Sequence, residues 1–164
     1  MKYTFLIVIL NLSFFMNSCA QNKVKNLDSN LKFEVVKTEA EWRAQLNDLE
    51  YNVLREEGTE KPFTGKYVTW NKKGTFVCNA CKNPLFASET KFKSGTGWPS
   101  FYDVLNDKSI VDKKDSKYGW DRVEIECQKC GSHLGHVFED GPAPTGLRYC
   151  INSVSLDFVE ETQK

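Results

Sequence analysis

The sequence predicts a mainly β protein, in which antiparallel sheets form a small, twisted, barrel-like body with short helices packed outside it. Two helix-capping patterns, at residues 38–41 and 47–50, precede Gly58. After Gly58 the chain changes to short β-rich runs separated by turn residues. Two Cys-x-x-Cys pairs within this part indicate a metal that cross-links the sheets. With 164 residues, the chain is long enough for one such domain.

The first 19 residues have the pattern of an export signal. Lys2 precedes an apolar run over residues 5–16, which is too short to span a membrane. A small residue before Cys19 resembles the lipobox of bacterial lipoproteins, in which this cysteine carries the lipid. Cleavage after Ala20 also satisfies the small-x-small rule. We expect an exported, periplasmic protein, and the pattern favours a lipoprotein held to the membrane only through Cys19.

The next 16 residues, 20–35, are predicted to be a polar tether, because most of them are polar or charged and show no apolar period. The folded domain is expected over residues 36–160. Its first helix should begin after the Thr38 cap, and a second should follow the Asn47 cap and end at Gly58. The apolar residues expected to be buried in these helices are Trp42, Leu46, Leu49, Tyr51 and Leu54.

Several strands are predicted after the helices. Residues 67–70 and 75–78 flank Asn71-Lys72-Lys73-Gly74, which indicates a hairpin. Residues 123–127 alternate between apolar and polar side chains, and residues 149–158 form another extended stretch. No repeat or low-complexity tract suggests a scaffold protein.

The charge balance argues against a polyanionic partner. Lysine plus arginine and aspartate plus glutamate each number 22, so the net charge is zero. No net field attracts the chain to nucleic acid or to an anionic membrane surface. We therefore expect no nucleic-acid partner.

Four of the six cysteines form the two Cys-x-x-Cys pairs, Cys78 with Cys81 and Cys127 with Cys130. Two intervening residues let both thiolates of a pair turn toward one tetrahedral ion. We therefore predict a structural zinc staple, meaning a four-cysteine zinc site that holds the sheets together. Disulfides, or one redox-active pair, are the alternatives in an exported protein.

The sixth cysteine, Cys150, has no partner left in these pairs. In the alternating run from Arg148 to Asn152 it shares one strand face with both of those residues. A neighbouring cation favours the thiolate, so Cys150 is a candidate nucleophile. An inert core cysteine is the alternative.

Both histidines of the chain, His133 and His136, follow the second Cys-x-x-Cys pair directly. They could be structural imidazoles or additional metal ligands. A bound zinc would also fix the position at which this segment leaves the sheet, as a catalytic acid requires.

Together these blocks resemble the B class of methionine sulfoxide reductases, from about Trp42 to Phe158. The matching blocks are Lys61-Pro62-Phe63-Thr64-Gly65, both cysteine pairs, Ser94-Gly95-Thr96-Gly97-Trp98-Pro99-Ser100-Phe101, His133-Leu134-Gly135-His136-Val137-Phe138, Asp140-Gly141-Pro142 and Arg148-Tyr149-Cys150-Ile151-Asn152-Ser153. The resemblance implies a β-tent-like fold and reduction of the R epimer of methionine sulfoxide in oxidised proteins.

The resemblance also implies roles for individual residues. Cys150 would attack the sulfoxide sulfur while His136 protonates the departing oxygen. His133 and Asn152 would orient that oxygen or a water, and Arg148 would hold the thiolate. Trp98 and Phe138 would form an apolar wall for the S-methyl group, and core packing is the alternative, which is favoured less for Trp98 than for Phe138.

The reaction would leave a sulfenic acid on Cys150. Many family members carry a further cysteine that resolves it, and this chain has none free. We therefore expect an external thiol, such as a thioredoxin-like protein, as reductant. We also expect the enzyme to be a monomer. The alternative is a zinc-stapled binding module that does not turn its ligand over and does not need Cys150.

Overall fold

The computed structural model describes residues 32–119 and 121–161, and its regular structure is mainly β. The elements are α1 (Glu39–Gln45), α2 (Asp48–Glu56), β1 (Gly74–Cys78), β2 (Pro84–Ala87), β3 (Lys91–Phe92), β4 (Ser100–Phe101), β5 (Ile110–Asp115), β6 (Arg122–Cys127), β7 (His133–Phe138), β8 (Arg148–Ile151) and β9 (Leu156–Glu160). The strands form two sheets, ordered β2-β1-β9 and β3-β4-β8-β7-β6-β5. Their pairings are antiparallel, so the predicted fold class is confirmed.

Both predicted helix caps are confirmed. The Thr38 hydroxyl accepts from the Glu41 N–H, and the Asn47 side chain accepts from the Glu50 N–H. Each glutamate carboxylate accepts in return from the backbone N–H of its cap residue. The predicted apolar residues that are buried are Trp42, Leu46, Tyr51 and Leu54.

Two details of the helix prediction are wrong. Leu49 is 50% exposed, because α1 ends at Gln45 and the second cap resets the helical phase, so Leu49 does not continue the stripe of the first helix. The second helix ends at Glu56, and Glu57, not Gly58, takes the left-handed conformation with φ 57°. The Gly58 N–H then donates to the Asn52 carbonyl.

The predicted hairpin is also wrong. Residues 67–70 form turns, and β1 pairs with β2 and β9 instead. Tyr67 lies edge-on to Phe76, so its aromatic character reflects packing against the core rather than a strand. The stretch 149–158 is not one strand, because a 3-10 turn at Ser153–Ser155 separates β8 from β9 and sends them into different sheets.

The hydrophobic core includes aromatic rings from both sheets. Phe101 of the six-stranded sheet stacks on Phe86 at 4.4 Å and meets Phe76 at 5.0 Å between ring centroids. Along β8, Tyr149 and Ile151 are buried while the alternate residues are only partly buried. The six-stranded sheet therefore has one face in the core and a second face available for a site.

The end of the predicted tether belongs to the body. The Val35 N–H donates to the Lys129 carbonyl at 2.9 Å, and a Cβ added to Gly131 would overlap the Phe33 ring. The predicted signal segment and Cys19 lie outside the described residues. Within the described ranges, no helix has the length and apolar character needed to cross a membrane.

Candidate active site and metal centre

The two cysteine pairs meet at one point. Cys78 ends β1 and Cys127 ends β6, while Cys81 and Cys130 lie in the turns that follow these strands. The Cys78 and Cys130 sulfurs are 3.8 Å apart, and those of Cys81 and Cys127 are 3.6 Å apart. All four sulfurs lie within 4.8 Å of one another. The cluster thus joins a strand of each sheet.

These distances fit metal ligation and not disulfides. A disulfide holds two sulfurs at about 2.05 Å, and all four cysteines are free. Four sulfurs placed about 2.3 Å from one tetrahedral ion lie about 3.8 Å from one another. The four thiols could therefore hold a single metal ion, with no ligand position left open.

A row of directly opposed residues crosses the six-stranded sheet near this centre. In the strand registers, Glu124 opposes His136, His136 opposes Cys150, and Cys150 opposes Ser100. Directly opposed residues of an antiparallel pair project to the same face, with Cβ atoms about 5 Å apart. The register therefore brings the candidate nucleophile and the candidate acid side by side.

A cleft of about 460 Å³ opens at this row. The predicted site residues that line it are Trp98, His133, His136, Phe138, Cys150 and Asn152. Gly135 also lines the cleft, and a Cβ added there would lie 2.0 Å from the Cys150 carbonyl oxygen. A glycine is therefore required where β7 approaches β8 so closely.

Cys150 is partly buried in this cleft. Burial raises the pKa of its thiol above the ordinary value, and outweighs the Thr96 hydroxyl, 3.9 Å from the sulfur, and the charge of Arg148. Arg148 acts in the expected direction, because its charge and its hydrogen bond favour the thiolate, but burial has the larger effect on the pKa of Cys150. Arg148 directs its guanidinium to the Asp140 carboxylate through two hydrogen bonds, of 2.8 and 2.9 Å, which offset its charge.

His136 is held by a carboxylate from β5. Its Nε2 lies 2.9 Å from Asp115 Oδ2. The pKa of Asp115 is lowered to about 2, first by the backbone N–H of Lys117 and further by His136 and Arg122. Burial lowers the pKa of His136, although Asp115 opposes this shift. A neutral imidazole with Nε2 on Asp115 leaves Nδ1 able to accept a proton.

His133 belongs to a different charged network. Its Nδ1 lies 2.6 Å from Glu124 Oε1, and both side chains are 4% exposed. Burial raises the pKa of Glu124, but His133 and Lys113 outweigh it, so the net shift is downward. Lys113 also pairs with Glu57 and Glu126 and thus offsets part of the negative charge of these three carboxylates.

Two aromatic residues line the cleft beside Cys150. Trp98 is half-buried, and its indole N–H donates to the Glu60 carbonyl at 3.1 Å. The guanidinium of Arg148 lies over the Phe138 ring at 4.4 Å. Both rings therefore border the cleft and are not purely core residues.

Glu60 is hydrogen-bonded to several residues in and next to the cleft. Its backbone N–H donates to the Asn152 side-chain oxygen, and its carboxylate accepts from the N–H groups of Ser153 and Val154. The Asn152 amide also donates to the Leu134 carbonyl at 3.2 Å. Asn152 thus spends its oxygen and one of its two donors on the scaffold, and has one donor left for a ligand.

Comparison with known proteins agrees with this geometry. A family model described as the SelR domain matches residues 46–160. The peptide methionine sulfoxide reductase MsrB of Methanosarcina barkeri is 56% identical over 129 residues, covering 79% of this chain and 91% of that protein. The chain belongs to the MsrB family. The predicted resemblance and enzyme class, an oxidoreductase of this family, are confirmed.

Two further relatives extend the match. The MsrB of Methanosarcina mazei is 51% identical over 142 residues, with 87% of this chain and 94% of that protein covered. That of Leptospira interrogans is 53% identical over 131 residues, with 80% of this chain and all of that protein covered. The matched SelR range contains every residue that lines the cleft.

The structure brings together all the predicted site residues of the MsrB cleft, with Arg148 at its margin. Sequence reasoning missed four supporting residues, namely Glu60, Thr96, Asp115 and Glu124. Glu124 could have been found, because a strand that alternates should bury one face, and an acidic residue on it needs a partner. Asp115 and Glu60 carried no local signal, since their partners are distant in sequence.

Proposed function

We propose that this chain reduces the R epimer of methionine sulfoxide in oxidised proteins, and so repairs them under oxidative stress. The observation that carries the proposal is the pairing of Cys150 with His136 across β7 and β8, inside a cleft. Family membership supplies the reaction class. The geometry supports the roles of the two residues.

The first step is nucleophilic. The Cys150 thiol passes its proton to the neutral His136 imidazole, and the thiolate attacks the sulfoxide sulfur. The resulting imidazolium, stabilised by Asp115, protonates the sulfoxide oxygen. The hydroxyl then moves from the substrate sulfur to the Cys150 sulfur while the bond between the two sulfurs breaks, which leaves a sulfenic acid on Cys150 and a thioether. The cysteine sulfur is oxidised by two electrons and the substrate sulfur is reduced by two.

The second step restores the thiol. Two equivalents of an external thiol reduce the sulfenic acid, which yields a disulfide of the reductant and water. Cys150 is the only cysteine of the described residues outside the metal cluster, which supports an external reductant. A thioredoxin-like dithiol protein has the required chemistry.

Selectivity for one epimer is assigned to the aromatic wall. Trp98 and Phe138 would take the S-methyl group, while the oxygen points toward His136. His133 and the remaining donor of Asn152 would orient that oxygen or a bridging water. Such a wall fixes which sulfoxide configuration presents its oxygen to the acid.

The four-cysteine cluster is proposed to hold zinc. Zinc prefers four thiolates in a closed tetrahedral site, and the sulfur separations fit that geometry. With no position open to substrate, its role would be to stabilise the fold. Metal analysis of freshly reduced, folded protein should give one zinc per chain, and its absence would refute the assignment.

Export and lipidation remain proposals that rest on the N-terminal pattern alone. The mature chain would begin at Cys19, carry acyl chains and face the periplasm as a monomer. An intact mass beginning at Gln21 without acyl chains would reject lipidation while leaving export in place.

Stereospecific turnover tests the proposed function. Peptides carrying either methionine sulfoxide epimer are incubated with the protein and dithiothreitol, and methionine is quantified. We expect turnover of the R epimer alone, and none by Cys150→Ser. Equal rates on both epimers, or unaltered turnover by Cys150→Ser, would contradict the site, whereas peptide binding without turnover that Cys150→Ser retains would favour the binding module.

A further inference from the structure

A second groove, of about 400 Å³, lies outside the active-site cleft. Residues 68–73 form one wall and residues 88–93 the other. Its cationic lining residues are Lys72, Lys73, Lys91 and Lys93. Glu89 is the one acidic lining residue among those described, so the groove carries a positive surplus although the chain as a whole has zero net charge.

Part of this charge has no internal partner. Lys72 pairs with Glu160 at 2.9 Å, and Lys91 donates to the Val68 carbonyl at 2.9 Å. Burial and the nearby charge of Lys93 lower the pKa of Lys91, which indicates crowded cations. Lys73 and Lys93 are exposed, and their side-chain ammonium groups make no hydrogen bond or ion pair within the described ranges. These two ammonium groups are available to an anionic ligand.

The groove also has an apolar floor. Trp70 is half-buried, with its ring edge-on to Phe158 at 5.4 Å, and Phe76, which also lines the groove, is buried. Phe92 contributes a further partly buried ring to the lining. Exposed ammonium groups above aromatic rings suit a segment that presents carboxylates on aliphatic stems.

The groove and the active site share one continuous piece of chain. Lys93 leads into Ser94, whose hydroxyl lies 2.9 Å from that of Thr96, and the latter lies 3.9 Å from the Cys150 sulfur. Thr96 lies three positions after Lys93, so their Cα atoms are at most about 11 Å apart. An extended polypeptide spans about 20 Å with six residues, enough to reach both places at once.

We propose that this groove binds an acidic stretch of the polypeptide whose methionine sulfoxide occupies the cleft. The proposal rests on the proposed function and names a substrate class for it, namely oxidised proteins with carboxylates a few residues from the sulfoxide. Charge complementarity with Lys73 and Lys93 selects this occupant.

Steady-state kinetics with dithiothreitol as reductant test the groove. Two peptides share one methionine-R-sulfoxide and differ only in a run of glutamates or of glutamines about six residues away on each side. We expect a lower KM for the acidic peptide. The double variant Lys73→Gln/Lys93→Gln should raise that KM about three-fold to ten-fold, with kcat and the KM for the neutral peptide unchanged.

The matched control is Lys32→Gln/Lys108→Gln, which removes two exposed lysines outside the groove. An equal KM for both peptides in the unaltered protein would overturn the proposal. An equal rise in the KM for the acidic peptide in the control variant would overturn it too. The groove variant could instead lose binding to anionic vesicles while the KM for the peptides stays unaltered. That result would assign the groove to lipid and would also overturn the proposal.

The two proposals can fail separately. Turnover of blocked, free methionine-R-sulfoxide tests the proposed function without using the groove. Fluorescence anisotropy of the labelled acidic peptide, with norleucine in place of the sulfoxide, tests the groove without using turnover. Salt-sensitive binding that the groove variant weakens supports the groove, and salt-insensitive or absent binding contradicts it.

Discussion

His136 and Cys150 are directly opposed residues on the antiparallel strands β7 and β8. Burial shifts their pKa values apart, downward for the imidazole and upward for the thiol, so each group is neutral near pH 7 in the substrate-free structure. The thiol proton of Cys150 can then move to the unprotonated ring nitrogen of His136. Activation of the nucleophile and formation of the acid are thereby one event.

The pH dependence of kcat/KM should reflect this shared proton. The acid limb should lie below the ordinary histidine pKa of about 6.5, where His136 becomes protonated before the thiol can transfer its proton. The alkaline limb should lie above the ordinary cysteine pKa of about 8.5, where Cys150 loses its proton. Kinetics over a wide pH range measure both limbs, and an alkaline limb below the ordinary value would mean a preformed thiolate.

Asp115 should act as a positioning residue for His136. The Asp115→Asn variant removes a negative charge that raises the His136 pKa, so the imidazolium becomes harder to form. A shift of one unit would lower kcat/KM about ten-fold and move the acid limb to lower pH. The matched control, Asp121→Asn, alters an exposed carboxylate that pairs with Lys114. It should leave both kcat/KM and the pH of the acid limb unchanged. An unmoved acid limb in Asp115→Asn would count against the role.

Loss of the metal should destabilise the fold. The Cys81→Ser variant removes one of four ligands, and we expect loss of bound zinc and of several kcal/mol in the free energy of unfolding, measured by urea denaturation. Cys150→Ser provides the matched control, since it is the same substitution outside the cluster and should retain zinc and stability. Equal stability of the two variants would contradict a structural metal.

Glu60 should support both stability and turnover. In Glu60→Gln an amide N–H₂ would face a backbone N–H that now donates to the carboxylate, which costs about 1–3 kcal/mol in a buried position. Displacement of Asn152 and Trp98 should also lower kcat/KM. Denaturation and kinetics of this variant, beside Glu161→Gln, an exposed residue outside the cleft, as control, measure both effects. A stable and fully active variant would show that the contacts of Glu60 are dispensable.

Local sequence patterns predicted the parts of the fold that depend on local interactions. The capping boxes at Thr38 and Asn47 form because each requires only four consecutive residues. Leu49 and the hairpin at 67–78 were wrong because pattern alone does not determine which face or which partner strand a segment meets. The partners of β1 are β2 and β9, the latter about 80 residues away in the chain, and nothing within the hairpin segment indicates this.

The candidate site was likewise predictable only where local sequence determines it. Motif spacing predicted the four metal-ligating cysteines and the residues of the cleft, because those chemical groups are recognisable by type. The direction of the Cys150 pKa shift was not predictable, since burial and the negative charge of Asp140 raise this pKa while Thr96 and Arg148 lower it. Such competing effects depend on three-dimensional distances.

The central claim is that Cys150 accepts the oxygen of the sulfoxide. The most direct measurement is mass spectrometry of the protein after one equivalent of methionine-R-sulfoxide peptide in the absence of reductant, with a sulfenic-acid trap. We predict that the trap is found on Cys150 alone, in a yield that matches the methionine formed. Stoichiometric methionine with an unmodified Cys150, or with Cys150 in an intramolecular disulfide, would contradict the account.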